Sequence, residues 1–154
     1  MTAKKLTDSV YFIPGATNIG IISCFSSTKK TNEVYLVDTG MSASDAKVIL
    51  EELKSLFPKE KGDYSIKAII STHSHADHCG GNKYIIEKTK CDLLATKKES
   101  GSIQNPFLQA AVIWGGNPIP EITGPYYEAE PTMPTKIIDA AVKITLDNSS
   151  EISF

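Results

Sequence analysis

The chain has 154 residues, a formal net charge of −2 and 41% hydrophobic residues, enough apolar content for one ordinary core. All 16 basic residues are lysines. There is thus no basic surplus to hold nucleic acid or an anionic membrane, and no guanidinium fork for bidentate capture of carboxylate or phosphate. Cys24, Cys79 and Cys91 are odd in number and unevenly spaced, which argues against a disulfide framework. With no signal core at the start and no bilayer-length apolar run, the expected compartment is the cytoplasm.

In chain order, Val10–Ile13 reads as a short strand stopped by Pro14-Gly15. Residues 19–25 are apolar and β-rich, and 26–32 read as the hairpin loop leading into a strand at 33–37. Ser42 or Ser44 caps a helix over 43–57, which Pro58 ends. Within it Val48, Ile49, Leu53, Leu56 and Phe57 form a stripe at helical spacing that packs on the sheet. A strand at 67–71, a helix over 81–89 and a strand at Asp92–Ala95 follow. Strands alternating with helices predict an α/β layered architecture.

Beyond that point, 103–114 predicts one helix with Pro106 in its first turn. Residues 115–135 are rich in proline, a length that in a compact domain marks either a functional loop or a mobile one. Trp114, Tyr126 and Tyr127 either line a substrate wall there or anchor the loop to the body, the commoner use of aromatics. No internal repeat and no low-complexity tract is visible.

Residues 71–82 read Ser-Thr-His-Ser-His-Ala-Asp-His-Cys-Gly-Gly-Asn and hold every histidine of the chain. Imidazole nitrogen and carboxylate oxygen are the ligand types of zinc and related divalent ions. On an extended segment His73 and His75 point to the same side, so both can face one ion. Asp77 and His78 fall where the chain turns into the next helix and can project toward a second ion beside the first. Gly80 and Gly81 remove Cβ atoms where the backbone turns and packs against this loop. A solvated polar loop with incidental histidines is the alternative, and the tightness of the cluster weighs against it. Cys79 is either a soft extra ligand or a small buried filler behind the loop.

Thr72-His73-Ser74-His75-Ala76-Asp77-His78, followed by Gly80-Gly81, resembles the metal-binding signature of the metallo-β-lactamase superfamily of hydrolases. Val-Tyr-Leu-Val-Asp-Thr-Gly at 34–40 is similar to the strand-Asp-x-Gly segment of that family, and 18–22 to its early strand pair. The resemblance implies an α/β fold, the N-terminal half of a four-layer αβ/βα sandwich. It implies His73 and His75 on a first metal and Asp77 and His78 on a second, with Asp77 also orienting the attacking water as its catalytic role. Asp38 becomes an outer carboxylate orienting the ligating histidines. Cys79 matches no ligand position. The implied cofactor is Zn²⁺, two ions in the complete domain, with iron or manganese as alternatives.

Family members add a third histidine, a bridging aspartate and a last histidine downstream. Here no histidine follows His78, and the later aspartates Asp92, Asp139 and Asp147 lack the family's Gly-Asp strand-end context. Asp139 and Asp147 read as turn residues. The expectation is therefore a single, C-terminally truncated domain over 1–154, with a lid-like loop at about 115–135. Alone it should be inactive or nearly so, and it should pair with a second copy or with the remaining half. The implied function is metal-dependent hydrolysis of a small ester, thioester, lactone or amide, a small-molecule substrate with no nucleic acid and no membrane partner. Two other readings stand beside it: a non-catalytic remnant or binding module, and an iron-dependent persulfide dioxygenase-type oxidoreductase, whose branch shares the motif.

Overall fold

Four strands in succession pair antiparallel: β1 (Lys4–Lys5), β2 (Val10–Ile13), β3 (Ile19–Ser26) and β4 (Thr31–Val37). The computed structural model describes residues 2–61, 63–119, 121–122, 128–139, 143–146 and 151–153. The β3–β4 hairpin is longer than its apolar residues predict, since Ser26 still pairs with Thr31. The reason lies across the sheet. Thr31 Oγ1 and both nitrogens of Asn32 donate to the carbonyl of Asp63, so polar side chains hold the hairpin tip in the ladder.

From β4 onward the sheet is parallel, through β5 (Tyr64–Ile70), β6 (Asp92–Ala95) and β7 (Lys136–Ile137), in the spatial order β1-β2-β3-β4-β5-β6-β7. Parallel neighbours need crossover connections. These are α1 (Ala43–Leu56) and, after a short helix α2 (Ala76–Cys79), α3 (Asn82–Thr89). Ser42, not Ser44, caps α1, accepting from the backbone N–H groups of Ser44 and Asp45. Ala46, Ile49 and Leu53 of α1 join Ile21, Val34, Leu36, Ile69 and Leu93 in the larger core cluster. Val34 pairs with Ile66 but Tyr35 with Ala68, so Lys67 is an extra residue in β5. That bulge puts both Ile66 and Ile69 into the same core despite their odd spacing.

The opposite sheet face carries Cys24, Tyr35, Ala68, Ile70 and Leu94, packed with Ile138 and Leu146. It is partly covered by an antiparallel hairpin, β8 (Lys143–Thr145) and β9 (Glu151–Ser153), through Ile144 and Ile152.

One helix predicted at 103–114 is in fact two, α4 (Lys97–Gln104) and α5 (Phe107–Trp114). Pro106 has no N–H to continue the first helix and pushes Asn105 out of helical geometry, to φ −133°. The start of α4 was hidden by its polar sequence, yet its signal is present. Thr96 accepts from the N–H of Glu99 three residues on, the Ser/Thr-x-x-Glu spacing of a capping box. Among the described residues no helix is long and apolar enough to cross a membrane.

Candidate metal site

The site forms where the parallel strands end, at their carboxyl edge, the usual place for ligands in open α/β sheets. Asp38 follows β4 in the left-handed region, φ 63°, and its N–H donates to Ile70 O at 3.1 Å. Short polar residues such as aspartate tolerate that backbone better than most. Its carboxylate is buried, with 3% of the residue exposed, and accepts three hydrogen bonds. They come from Thr72 N at 2.8 Å, Thr72 Oγ1 at 2.7 Å and His78 Nδ1 at 2.7 Å.

The motif then runs extended to His75, whose carbonyl accepts from His78 N and Cys79 N and so starts α2. This places the three rings together: His73 lies 4.6 Å from His75 and 4.0 Å from His78, centre to centre. Asp77 Oδ2 accepts from Thr17 Oγ1 at 2.9 Å and sits 3.5 Å from His78 Nε2. Ser74 is buried. Its N–H donates to Glu99 Oε2 and its Oγ accepts from Gln109 Nε2, both at 2.8 Å, tying the loop to α4 and α5.

Behind the loop, the glycine pair allows a backbone-to-backbone contact that no side chain would permit. A Cβ on Gly80 would stand 1.9 Å from Met41 O, and one on Gly81 2.4 Å from Thr39 O. Thr39 N donates to His78 O at 2.8 Å in the same junction. Asn82, fully buried, accepts from Thr39 Oγ1 and donates to Ser71 Oγ, joining the ends of β4 and β5 to the start of α3.

Burial lowers the basicity of His73 below the usual imidazole value, and the adjacent His78 and His75 lower it further, against Asp38 and Glu99. A neutral ring keeps its lone pair, the form that binds a cation. The Cys79 thiol is pushed up to about 12, by burial first and then by the charge of Asp38. Its Sγ bonds to the carbonyls of Ser74 and His75. Buried and bonded to these carbonyls, the thiol fills the space behind the loop.

The donor chemistry fits a divalent ion: three clustered imidazoles, one of lowered basicity, beside a carboxylate. Among the described residues, however, the set is not closed. Among the described residues no three His, Cys, Asp or Glu side chains converge as one ligand group. Trp114 ends α5 with 45% of its surface exposed, and Tyr126, Tyr127 and Asp147 lie outside the described residues. Asp92 is taken up by Thr135 and Lys136 at the sheet edge. Asp139 lines a cleft of about 630 Å³ together with Ser71 and Thr72, beside the motif strand. Thr17, Thr72, Asn82, Glu99 and Gln109 are the residues that the pattern of ligand types does not reveal, because each acts through hydrogen bonds across the fold.

The metallo-beta-lactamase superfamily profile matches residues 13–140, and the chain belongs to that superfamily. A hydroxyacylglutathione hydrolase from Prochlorococcus marinus (strain MIT 9312) is 39% identical over 54 residues, 34% of this chain and 21% of that protein. Among solved structures, the subclass B3 metallo-beta-lactamase BJP-1 of Bradyrhizobium japonicum superposes with a TM-score of 0.71 at 19% identity. That match covers 96% of this chain and 49% of BJP-1. FEZ-1 of Legionella gormanii gives 0.68 at 15% identity, covering 96% of this chain and 50% of FEZ-1. The fold is therefore the metallo-beta-lactamase fold, and the chain spans about half the length of these solved relatives.

Proposed function

We propose that this chain carries the first ligand group of a metal-dependent hydrolase, acting on a small ester, thioester, lactone or amide. The observation that supports it most is the Asp38 carboxylate buried beneath the motif, bonded at once to Thr72 and His78 while the three imidazoles gather beside it. A buried acid spent on orienting histidines has little purpose in a solvated loop, and is the usual support of metal-ligating imidazoles. His73 and His75 would hold one ion, and Asp77 and His78 a second, Zn²⁺ in the first instance. A bound divalent ion supplies a water acidic enough to act as nucleophile near neutral pH. The chain's own part is to lower the basicity of His73 by burial, to aim His78 through Asp38, and to hold Asp77 by Thr17, where it would orient that water.

The ligand set, open among the described residues, supports a division of labour in which donors from a second copy or from another segment complete the site. It equally supports the reading of a binding module without turnover. The resemblance of the 54-residue stretch to a hydroxyacylglutathione hydrolase favours acyl substrates for the whole protein. The test is a panel of small esters, thioesters and lactones assayed with Zn²⁺, Mn²⁺ or Fe²⁺, on the wild type and on His73→Ala. The proposal expects metal-dependent hydrolysis abolished by the variant. Metal binding without hydrolysis of any of them would leave the binding-module reading in its place, and sulfur-dioxygenase activity with Fe²⁺ alone would favour the oxidoreductase.

A further inference from the structure

Asp38 serves two motif histidines but touches only one. His78 Nδ1 lies 2.7 Å from Asp38 Oδ2, whereas His73 Nδ1 lies 2.9 Å from Thr72 Oγ1. Thr72 Oγ1 is in turn 2.7 Å from Asp38 Oδ2, and the Thr72 N–H, 2.8 Å from Asp38 Oδ1, fixes the threonine in place. A hydroxyl has one proton to give, and a carboxylate only accepts. That proton goes to Asp38, so the Thr72 oxygen is left to accept from His73. By the same count His78 Nδ1, facing the carboxylate directly, must carry its own proton.

We infer that Thr72 is a positioning residue that extends the hold of Asp38 to His73, so that His73 and His78 both carry their protons on Nδ1 and both present Nε2 to a metal ion. The metal end of this statement rests on the function proposed above, but the proton placement is a property of the chain alone. The side chain next to a ligand decides its tautomer, because whichever ring nitrogen donates a hydrogen bond leaves the other free. Thr72→Val keeps the shape and removes the acceptor. Thr72→Ser keeps the acceptor and removes only a methyl group.

The experiment is a two-bond proton–nitrogen correlation spectrum of metal-free protein labelled with ¹⁵N-histidine, recorded where the imidazoles are neutral. The wild type and Thr72→Ser should show Nδ1–H on both His73 and His78. Thr72→Val should move the His73 proton to Nε2 and leave His78 unchanged, a selective effect that general unfolding does not produce. If Thr72→Val fails to fold, the wild-type and Thr72→Ser spectra still decide. A wild-type His73 protonated on Nε2, or a His73 unmoved in a folded Thr72→Val, overturns the inference. Zn²⁺ affinity read in parallel should fall about 10–100-fold in Thr72→Val and stay near wild type in Thr72→Ser. Correct tautomers with no Zn²⁺ bound by any variant would sink the metal reading and leave the role of Thr72 standing.

Discussion

Asp38 concentrates more of the site than any other side chain, and its backbone shows why its replacement must be chosen with care. At φ 63° an alanine is strained, whereas asparagine tolerates the conformation. Asp38→Asn should therefore stay folded. One of its two acceptor oxygens becomes an amide NH2, which faces either the Thr72 N–H or, at the Oδ2 position, both Thr72 Oγ1 and His78 Nδ1, so it cannot accept all three bonds. We predict a loss of about 10–100-fold in metal affinity for Asp38→Asn, measured by equilibrium dialysis, with the circular dichroism spectrum unchanged. Unchanged affinity would show that Asp38 supports the fold and not the ligands. At this scale the sequence was legible wherever chemistry is local: all three histidines and Asp77 lie within one short run. Of the remote partners only Asp38 was legible, and that through the family resemblance. Thr72 and Asp38 are 34 residues apart, Thr17 and Asp77 60, and Ser74 and Glu99 25, and no spacing rule links such pairs.

At the scale of elements, two glycines make opposite predictions. Gly80 sits where a Cβ would meet Met41 O at 1.9 Å, backbone against backbone, with nothing flexible to yield. Gly80→Ala should cost at least about 2 kcal/mol in chemical denaturation, by forcing the α2–α3 turn off the 39–41 segment. Gly101 lies inside α4 with nothing within 4 Å of its missing Cβ. Gly101→Ala should stabilise the chain by about 0.5–1 kcal/mol, since the helix interior gains a residue of lower backbone entropy cost. Equal effects from the two would contradict the packing described here. The strands β2 to β6 and α1 could be read from apolar periodicity and caps, whereas the short β1, β7 and β8 carry too few residues to show a period. The division of α4 from α5 could not, because an apolar stripe continues through Pro106 while its proline breaks the hydrogen-bond ladder, and the preceding turns of α4 are polar.

For the whole molecule, the two sheet faces differ. One is covered by α1 and α3, and among the described residues the other meets Ile138, Leu146 and the β8–β9 hairpin, with the cleft of about 630 Å³ beside it. Residues 100–120 contain no charged side chain, and within them Leu108, Val112, Ile113 and Trp114 are all exposed, Val112 by 84%. Large exposed apolar surface favours association. The 154-residue chain should therefore self-associate with rising concentration in sedimentation velocity, and Val112→Lys should reduce it. A monodisperse wild-type monomer at all concentrations would contradict this. Cys24, Cys79 and Cys91 are all buried, so a thiol reagent should label none of them quickly in the native state and all three after denaturation.

Whether the motif histidines hold a metal is decided by zinc titration of the wild type against a His73→Ala, His78→Ala double variant of the same chain. The variant removes one ligand from each proposed ion while leaving the Gly80-Gly81 junction and the core untouched. Isothermal calorimetry with elemental analysis should find Zn²⁺ on the wild type, held weakly because the ligand set is open and removable by a chelator, and none on the folded variant. No Zn²⁺, Mn²⁺ or Fe²⁺ on the wild type, or the same uptake by both proteins, would contradict the account.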